Sequence, residues 1–511
     1  MRFVSAGLVA IVGFSIFGGC SGSERKFGTG TAGNSGAPSG TAGTAGKPDT
    51  SGGGRAGSAS AGMAGVEPEA GSAGDNTDGG TAGTTEENGG ATNGGATNGG
   101  AGAGGKAGAS GSGGAAAGSG GTPPTCNACA NGFACSTTTC KTTCSADSDC
   151  LSDHFCSTGQ CRADAIQVSI GYSHACVLLA DKTVNCWGSN QQSQLGTASA
   201  ADSATPVQVK FLSDVQAIAV GDALTFALLS DGTVSYWGTR ITKYEATTNQ
   251  YTTVASQYPT ALNGLSAVKT IAAGGRGNGC ATLADGSARC WNFNDMGQLG
   301  NGTYDFSVDP VVVSGVSGAT GIDFGYAFAC AQSPSAVKCW GNNFDGQLGN
   351  YSNTTANSPQ TITGLSGTVS KLRTGDSFGC VLMTNGSIQC WGANGDGQVG
   401  NGTSGTAEKA PVTASAIPNV TDLALGTVHS CALLSGGTVR CWGQNYDGQI
   451  GNGNKNSPVT TPTAVTGITG ATAIGAGSYT SCAILTNGSV KCWGRIVGDS
   501  SNDYSGVTTI W

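Results

Sequence analysis

CALLSGGTVRCWGQNYDGQIGNG, residues 431–453, decides the fold, because recognisable copies of it recur along the chain. Aligned on the tryptophan, the copies stand at Trp187, Trp237, Trp291, Trp340, Trp391, Trp442 and Trp493, in steps of 50, 54, 49, 51, 51 and 51 residues. A fixed period near fifty marks an array of supersecondary units. Each copy holds an apolar run, a glycine-containing turn, a second run ending at the tryptophan, a Gly/Asn-rich loop and a segment such as Pro310-Val311. That is three to four short strands per copy, the content of one propeller blade. The fold class is all-β, a seven-bladed β-propeller over residues 165–511.

The cysteines of the repeat make the geometry checkable. In the quoted copy a three-residue loop, Ser435-Gly436-Gly437, joins the two runs, and its third position requires positive φ. Glycine fills that place at Gly232, Gly286, Gly386, Gly437 and Gly488; Lys182 is the exception and carries a conformational cost. With this loop Leu434 faces Thr438, and Cys431 lies opposite Cys441. The same count sets Cys176 opposite Cys186, Cys280 opposite Cys290, Cys380 opposite Cys390 and Cys482 opposite Cys492. One copy has a two-residue turn, Pro334-Ser335, and still leaves Cys330 opposite Cys339. The second copy has lost both cysteines together, to Phe226 and Tyr236. Opposed Cα atoms lie about 4.5–5.5 Å apart, within bridging range. Six disulfides are therefore expected rather than buried free thiols, each contributing roughly 2–3 kcal/mol.

Of 511 residues 89 are glycine and 11% are charged, far from the globular average, and the net charge of −8 excludes the basic face a nucleic acid needs. No run reaches the eighteen apolar residues of a membrane span. Residues 1–20 read as a targeting segment: Arg2, an apolar run to Phe17, then Gly18-Gly19-Cys20. This resembles a bacterial lipoprotein signal in which Cys20 becomes the acylated N-terminus, although Phe17 stands where leucine is usual. An ordinary secretory signal is the competing reading. Cysteine arithmetic favours the lipid, because the 21 cysteines divide into Cys20, eight in a cluster and twelve in the repeats. Ser21 resembles the outer-membrane sorting signal. Residues 21–125 are a Gly/Ala/Ser/Thr-rich segment with nothing to bury, expected to be a disordered tether spanning about 55 Å. Residues 126–161 hold eight cysteines, too short a segment to form a core, and read as a disulfide module of undetermined connectivity. Cys126-Asn-Ala-Cys129 raises zinc as the alternative, but it is a lone CxxC without finger-like partner spacing.

Three motif elements carry a family resemblance. They are a glycine before the first strand of each copy (Gly171, Gly221, Gly275, Gly325, Gly375, Gly426, Gly477), the Trp-Gly, and a Gly-Gln-Leu-Gly loop. The loop stands at 297–300, 346–349, 397–400 and 448–451, is partial at Gln194-Leu195-Gly196, and is missing from copies two and seven. The pattern resembles the repeats of the regulator of chromosome condensation family. The resemblance implies a seven-bladed propeller and, for an exported acidic member, a rigid protein-binding disc rather than a chromatin-bound exchange factor.

Catalytic chemistry finds little support. His174 and His429 share one repeat slot that elsewhere holds Leu224, Asn278, Phe328, Phe378 and Thr480, so a structural role fits better than a paired one. The Asn-x-Asp-Gly segments 343–346, 394–397 and 445–448 lack the remaining acidic ligands of a calcium loop and read as turns. Arg289 and Arg440, ahead of Cys-Trp, read as blade residues. No catalytic residue, metal ligand or cofactor is assigned. Candidate contacts follow the repeat glycine, where copies differ: Tyr172, Asp222, Arg276, Tyr326 and Asp376, then Thr427 and Ser478. The expectation is a monomeric, lipid-anchored surface module that binds a protein or a glycan, with a purely structural envelope role as the alternative.

Overall fold

The computed structural model describes residues 134–511, except 137–138, 141–142, 158–159, 246, 249 and 496–505. The signal segment with Cys20, the linker, and Cys126 and Cys129 lie outside the described residues. Seven antiparallel sheets follow one another, each built from four consecutive strands paired in chain order. In blade 6 these are Val420–Leu425, His429–Leu434, Val439–Gly443 and Val459–Ala464. The first strands of all seven blades touch their neighbours in a closed circle, including the last with the first. Second strands such as His174–Leu179 are buried throughout, because adjacent blades cover both faces; hence a continuous apolar run instead of alternation.

The repeat glycine sits between the first and second strands, and an extra strand, less marked in sequence, precedes it. The reason for glycine there is the neighbouring blade. A Cβ on Gly171 would strike the Gly221 carbonyl, and Gly325, Gly375, Gly426 and Gly477 each abut the carbonyl of the next glycine around the circle, ending at Gly171. In the turns between second and third strands, Gly437 has φ +70 and Lys182 φ +64. A non-glycine residue in that region costs about 1 kcal/mol.

Cys431 pairs with Cys441 in register, and a disulfide joins them. Cys176–Cys186, Cys280–Cys290, Cys330–Cys339, Cys380–Cys390 and Cys482–Cys492 are bonded likewise. Their Cα atoms are 4.0–4.1 Å apart, tighter than an average opposed pair. In blade 2 Phe226 faces Tyr236 in the same register, and both are buried.

Each tryptophan fills the seam between its own blade and the one before it. Trp442 of blade 6 packs among Phe378, Leu382, Ile388 and Val399 of blade 5. The ring closes without a shared strand: blade 7 takes its outer strand, Thr508–Thr509, from the C-terminus. The closing seam is reinforced from the cysteine module. Phe155 and Ala163 join Trp187, Ile484 and Trp511 in one core, the Trp511 indole N–H donates to the Ala163 carbonyl at 3.1 Å, and the Arg162 guanidinium lies 5.0 Å from the Trp511 ring centre. Within the module, Cys144–Cys156 and Cys150–Cys161 are bonded, and the backbones of Cys135 and Cys140 lie in register across two short strands. The sulfurs of Cys144, Cys150 and Cys161 lie within 4.8 Å of one another because the two bridges stack.

Candidate binding face

Antiparallel order places the loops after the first strands and those after the third strands on one face of the ring. Backbone hydrogen bonds tie the two sets together, for example Ser189 N–H to Ser173 O at 2.8 Å and Gln444 N–H to Val428 O at 3.0 Å. All seven candidate contact residues occupy the inner loops of this face. Tyr172 (61% exposed) and Tyr326 (44%) are open to solvent. Asp222, Arg276, Asp376 and Thr427 are half-buried, while Ser478 is buried and withdrawn from contact. Their loops hold one another: Arg276 N–H donates to Asp222 Oδ2 at 2.8 Å, and Tyr326 N–H to the Asp376 carbonyl at 3.0 Å. Burial pushes the Asp376 carboxyl up to about 7, and the Asp222 charge adds to the rise. Burial also raises Asp222, opposed by its bond and attraction to Arg276.

Arg276 is the best-anchored member. Its guanidinium lies 3.9 Å from the Phe293 ring centre, bonds Asp295 Oδ2 at 2.6 Å and donates to the Tyr251 hydroxyl at 3.3 Å. Tyr251 belongs to a long hairpin of blade 2, Val234–Glu245 with Gln250–Ala261, that leans on blade 3. Tyr244 and Tyr251 stack at 5.0 Å, and Tyr251 meets Phe293 edge-on at 5.1 Å. Phe293 stands where other blades carry Ser189, Asn342, Ala393 or Gln444. The arm and its seat are thus specialised together.

Sequence reasoning missed the aromatics of the outer loops. Phe344 and Tyr446, each 62% exposed, are the variable residue of Asn-x-Asp-Gly, and Tyr304 and Tyr351 follow nearby at 51% and 68%. The signal was available as a changing residue inside a fixed motif. The fixed residues are occupied internally: Asn445 Oδ1 accepts the Ile450 N–H at 3.1 Å and Gln449 Oε1 the Asp447 N–H at 3.0 Å, with Asn343 and Gln347 repeating the pattern. These are turn contacts, with the side-chain oxygens directed at backbone donors.

The same loop reaches the next blade. The Trp442 indole N–H donates to the Gln398 carbonyl at 2.9 Å, and Trp237, Trp340, Trp391 and Trp493 bond Gln194, Gln298, Gln347 and Gln449. Blade 2 lacks the loop motif, so the buried Trp291 N–H has no partner among the described residues. His174 and His429 also join blades: Nε2 lies 2.7 Å from Thr225 Oγ1 and 2.8 Å from Ser481 Oγ, respectively. Arg289 and Arg440 contact backbone carbonyls of their own outer strands, Pro310 and Pro462. Two shallow hollows, of about 190 and 450 Å³, include none of the candidate contacts.

Four-stranded blades, a loop-to-tryptophan bond between neighbours and one variable loop face define a repeat-built β-propeller with a common scaffold. Two sequence profiles, both of the regulator of chromosome condensation (RCC1) repeat, match the chain. One covers 165–194, 369–398, 420–449 and 471–500, the other 183–228, 337–382, 385–433 and 436–484. The protein is a seven-bladed β-propeller that contains RCC1 repeats, matched over residues 165–228 and 337–500. It is similar to the mitochondrial RCC1 domain-containing protein RUG3 of Arabidopsis thaliana, 31% identical over 129 residues, which are 25% of this chain and 29% of RUG3. It also resembles the Arabidopsis thaliana ultraviolet-B receptor UVR8, 28% identical over 298 residues, 56% of this chain and 67% of UVR8. Among solved structures, Prp20p from Saccharomyces cerevisiae shares the fold with a TM-score of 0.54 at 20% identity, covering 61% of this chain and 80% of Prp20p. The aligned part therefore spans less than a third of RUG3 and about two thirds of UVR8.

Proposed function

We propose that the propeller is a rigid protein-binding module held at the cell surface by a lipid on Cys20, with contacts made by the loop face bearing Tyr172, Arg276 and Tyr326. One observation carries this reading. The buried asparagine–glutamine pair of the outer loops repeats in five blades, from Asn190 with Gln194 to Asn445 with Gln449, while the exposed positions of the face change to Tyr172, Tyr326, Phe344, Tyr351 and Tyr446. Aromatic and arginine side chains on a preorganised backbone are the usual anchors of protein recognition, because they bury large area with little loss of rotamer freedom. Prp20p is described as binding Gsp1p and histones. What supports the present reading from that source is the use of such a ring as a protein-binding surface.

Capture on immobilised full-length protein from envelope extracts tests the face. Replacing Tyr172, Arg276 and Tyr326 together by alanine should reduce the retained partner at least about tenfold, since each anchor typically contributes more than 1 kcal/mol. The variant should stay folded, with a small drop in melting temperature from the lost Arg276–Asp295 ion pair. Equal retention by the variant would overturn the assignment, and retention of glycan alone would replace the protein ligand. The anchor has a separate check. Fatty-acid labelling of the expressed chain should be lost in Cys20→Ser, and an unlabelled parent protein would refute the lipid.

A further inference from the structure

Outer strands of propeller blades present a row of unpaired backbone N–H and C=O groups, a template for further pairing. Five blades block it in one way. Their outer strands are six residues long and each contains a proline: Pro206, Pro310, Pro359, Pro411 and Pro462. In blade 7 the strand is two residues, Thr508–Thr509. Blade 2 departs from the pattern. Gln250–Ala261 runs for twelve residues, keeps Pro259 at the shared place, and puts nine residues ahead of it that include no proline and no charge.

Sheet order puts this strand at the edge, where among the described residues it pairs with Val234–Glu245 alone. Residues 250–255 are exposed, Val254 by 51%. The arm is nevertheless fixed in place. Tyr244 and Tyr251 sit on Phe293 and Phe306, Arg276 bonds the Tyr251 hydroxyl, and Arg240 donates to the Val308 carbonyl. An edge held this way loses little entropy on pairing.

We infer that this edge pairs with the same strand of a second copy, joining two blade-2 sheets into one continuous antiparallel sheet. Antiparallel pairing of a strand with itself is a two-fold operation and closes as a dimer. Centred on Thr253, it sets Thr252 opposite Val254, Tyr251 opposite Ala255 and Gln250 opposite Ser256. Branched meets branched, large meets small, polar meets polar, and no like charges oppose. Neutrality decides the occupant: a strand carrying lysine or glutamate could not self-pair without placing like charges together. The inference departs from the monomer expected from sequence; it shares Arg276 with the loop-face reading, but its test at Thr253 touches none of the contact residues named there.

Sedimentation equilibrium of the full-length protein tests it. Residues 250–256 bury less than a standard interface, so dimerisation is expected in the micromolar range. Thr253→Lys brings two lysines face to face and should weaken association at least tenfold with unchanged melting. Thr253→Cys should give a covalent dimer on non-reducing gels, because directly opposed Cα atoms lie in bridging range. A wild-type protein that stays monomeric, even if it captures a foreign extended peptide, would overturn the proposal. So would a dimer whose strength Thr253→Lys leaves unmoved.

Discussion

Trp442→Ala should destabilise the propeller by about 4 kcal/mol, read as a shift in the urea midpoint with the disulfides intact. The indole is fully buried in the seam between blades 5 and 6, against Phe378, Leu382 and Val399. A Cβ on Gly400 would lie 2.5 Å from the indole nitrogen, so the loop is already pressed onto the ring and has no slack to collapse into the space left. The hydrogen bond adds less, because the Gln398 carbonyl keeps a second donor, the Ser430 hydroxyl at 2.8 Å. Trp291 is the internal control. Its N–H is buried without a partner among the described residues, so Trp291→Phe removes an unsatisfied donor while Trp442→Phe removes a bond. The second should cost about 1 kcal/mol more than the first. Equal costs would mean that the loop-to-tryptophan bond does not contribute to joining the blades.

Acid should loosen the ring through His174 and His429. Both are fully buried, and burial pushes each imidazole down to about 3 from its ordinary 6.5. The unfolded chain takes up protons below pH 6.5 that the folded chain refuses until about 3, so stability falls as pH drops through that window. At about 1.4 kcal/mol per pH unit for each group, the two together cost about 4 kcal/mol by pH 5. Asp376 works the other way. Its folded carboxyl, raised to about 7 by burial and the Asp222 charge, holds a proton that the unfolded chain releases above 3.8, so acidification relieves it. It is partly open to solvent, which reduces its weight. The contributions separate in a double variant, His174→Leu with His429→Phe, side chains the same slot accepts at Leu224 and Phe378. Asp376 is common to both proteins, so the difference between their stability–pH curves isolates the histidines. That difference should grow by about 4 kcal/mol from pH 7 to pH 5, and a flat difference would assign the acid sensitivity elsewhere.

How much could be read in advance differed by kind of contact. The seven-fold count follows from the recurring tryptophan, while the cross-strand position of Cys431 against Cys441 and the strained Lys182 are fixed by a turn of three residues. Such geometry is local and follows from counting. The candidate rim was half legible: variation after the repeat glycine picked out Tyr172 and Tyr326, but also Ser478, which the ring buries. Phe344 and Tyr446 do not stand out in sequence because the fixed asparagine and aspartate dominate their motif, whereas exposure belongs to the residue between them.

The chain by itself determined what happens within one repeat: where strands turn, which residues oppose each other, and which sulfurs can meet. Only the closed ring decided what happens between repeats. The Trp442 bond to Gln398, the His174 contact with Thr225 and the glycine-on-glycine rim all join residues of adjacent blades, some 44 to 51 positions apart in the first two cases. A repeat carries no mark of its neighbour's shape. The seam exists only once curvature brings two sheets face to face, and curvature is a property of all seven blades packed together.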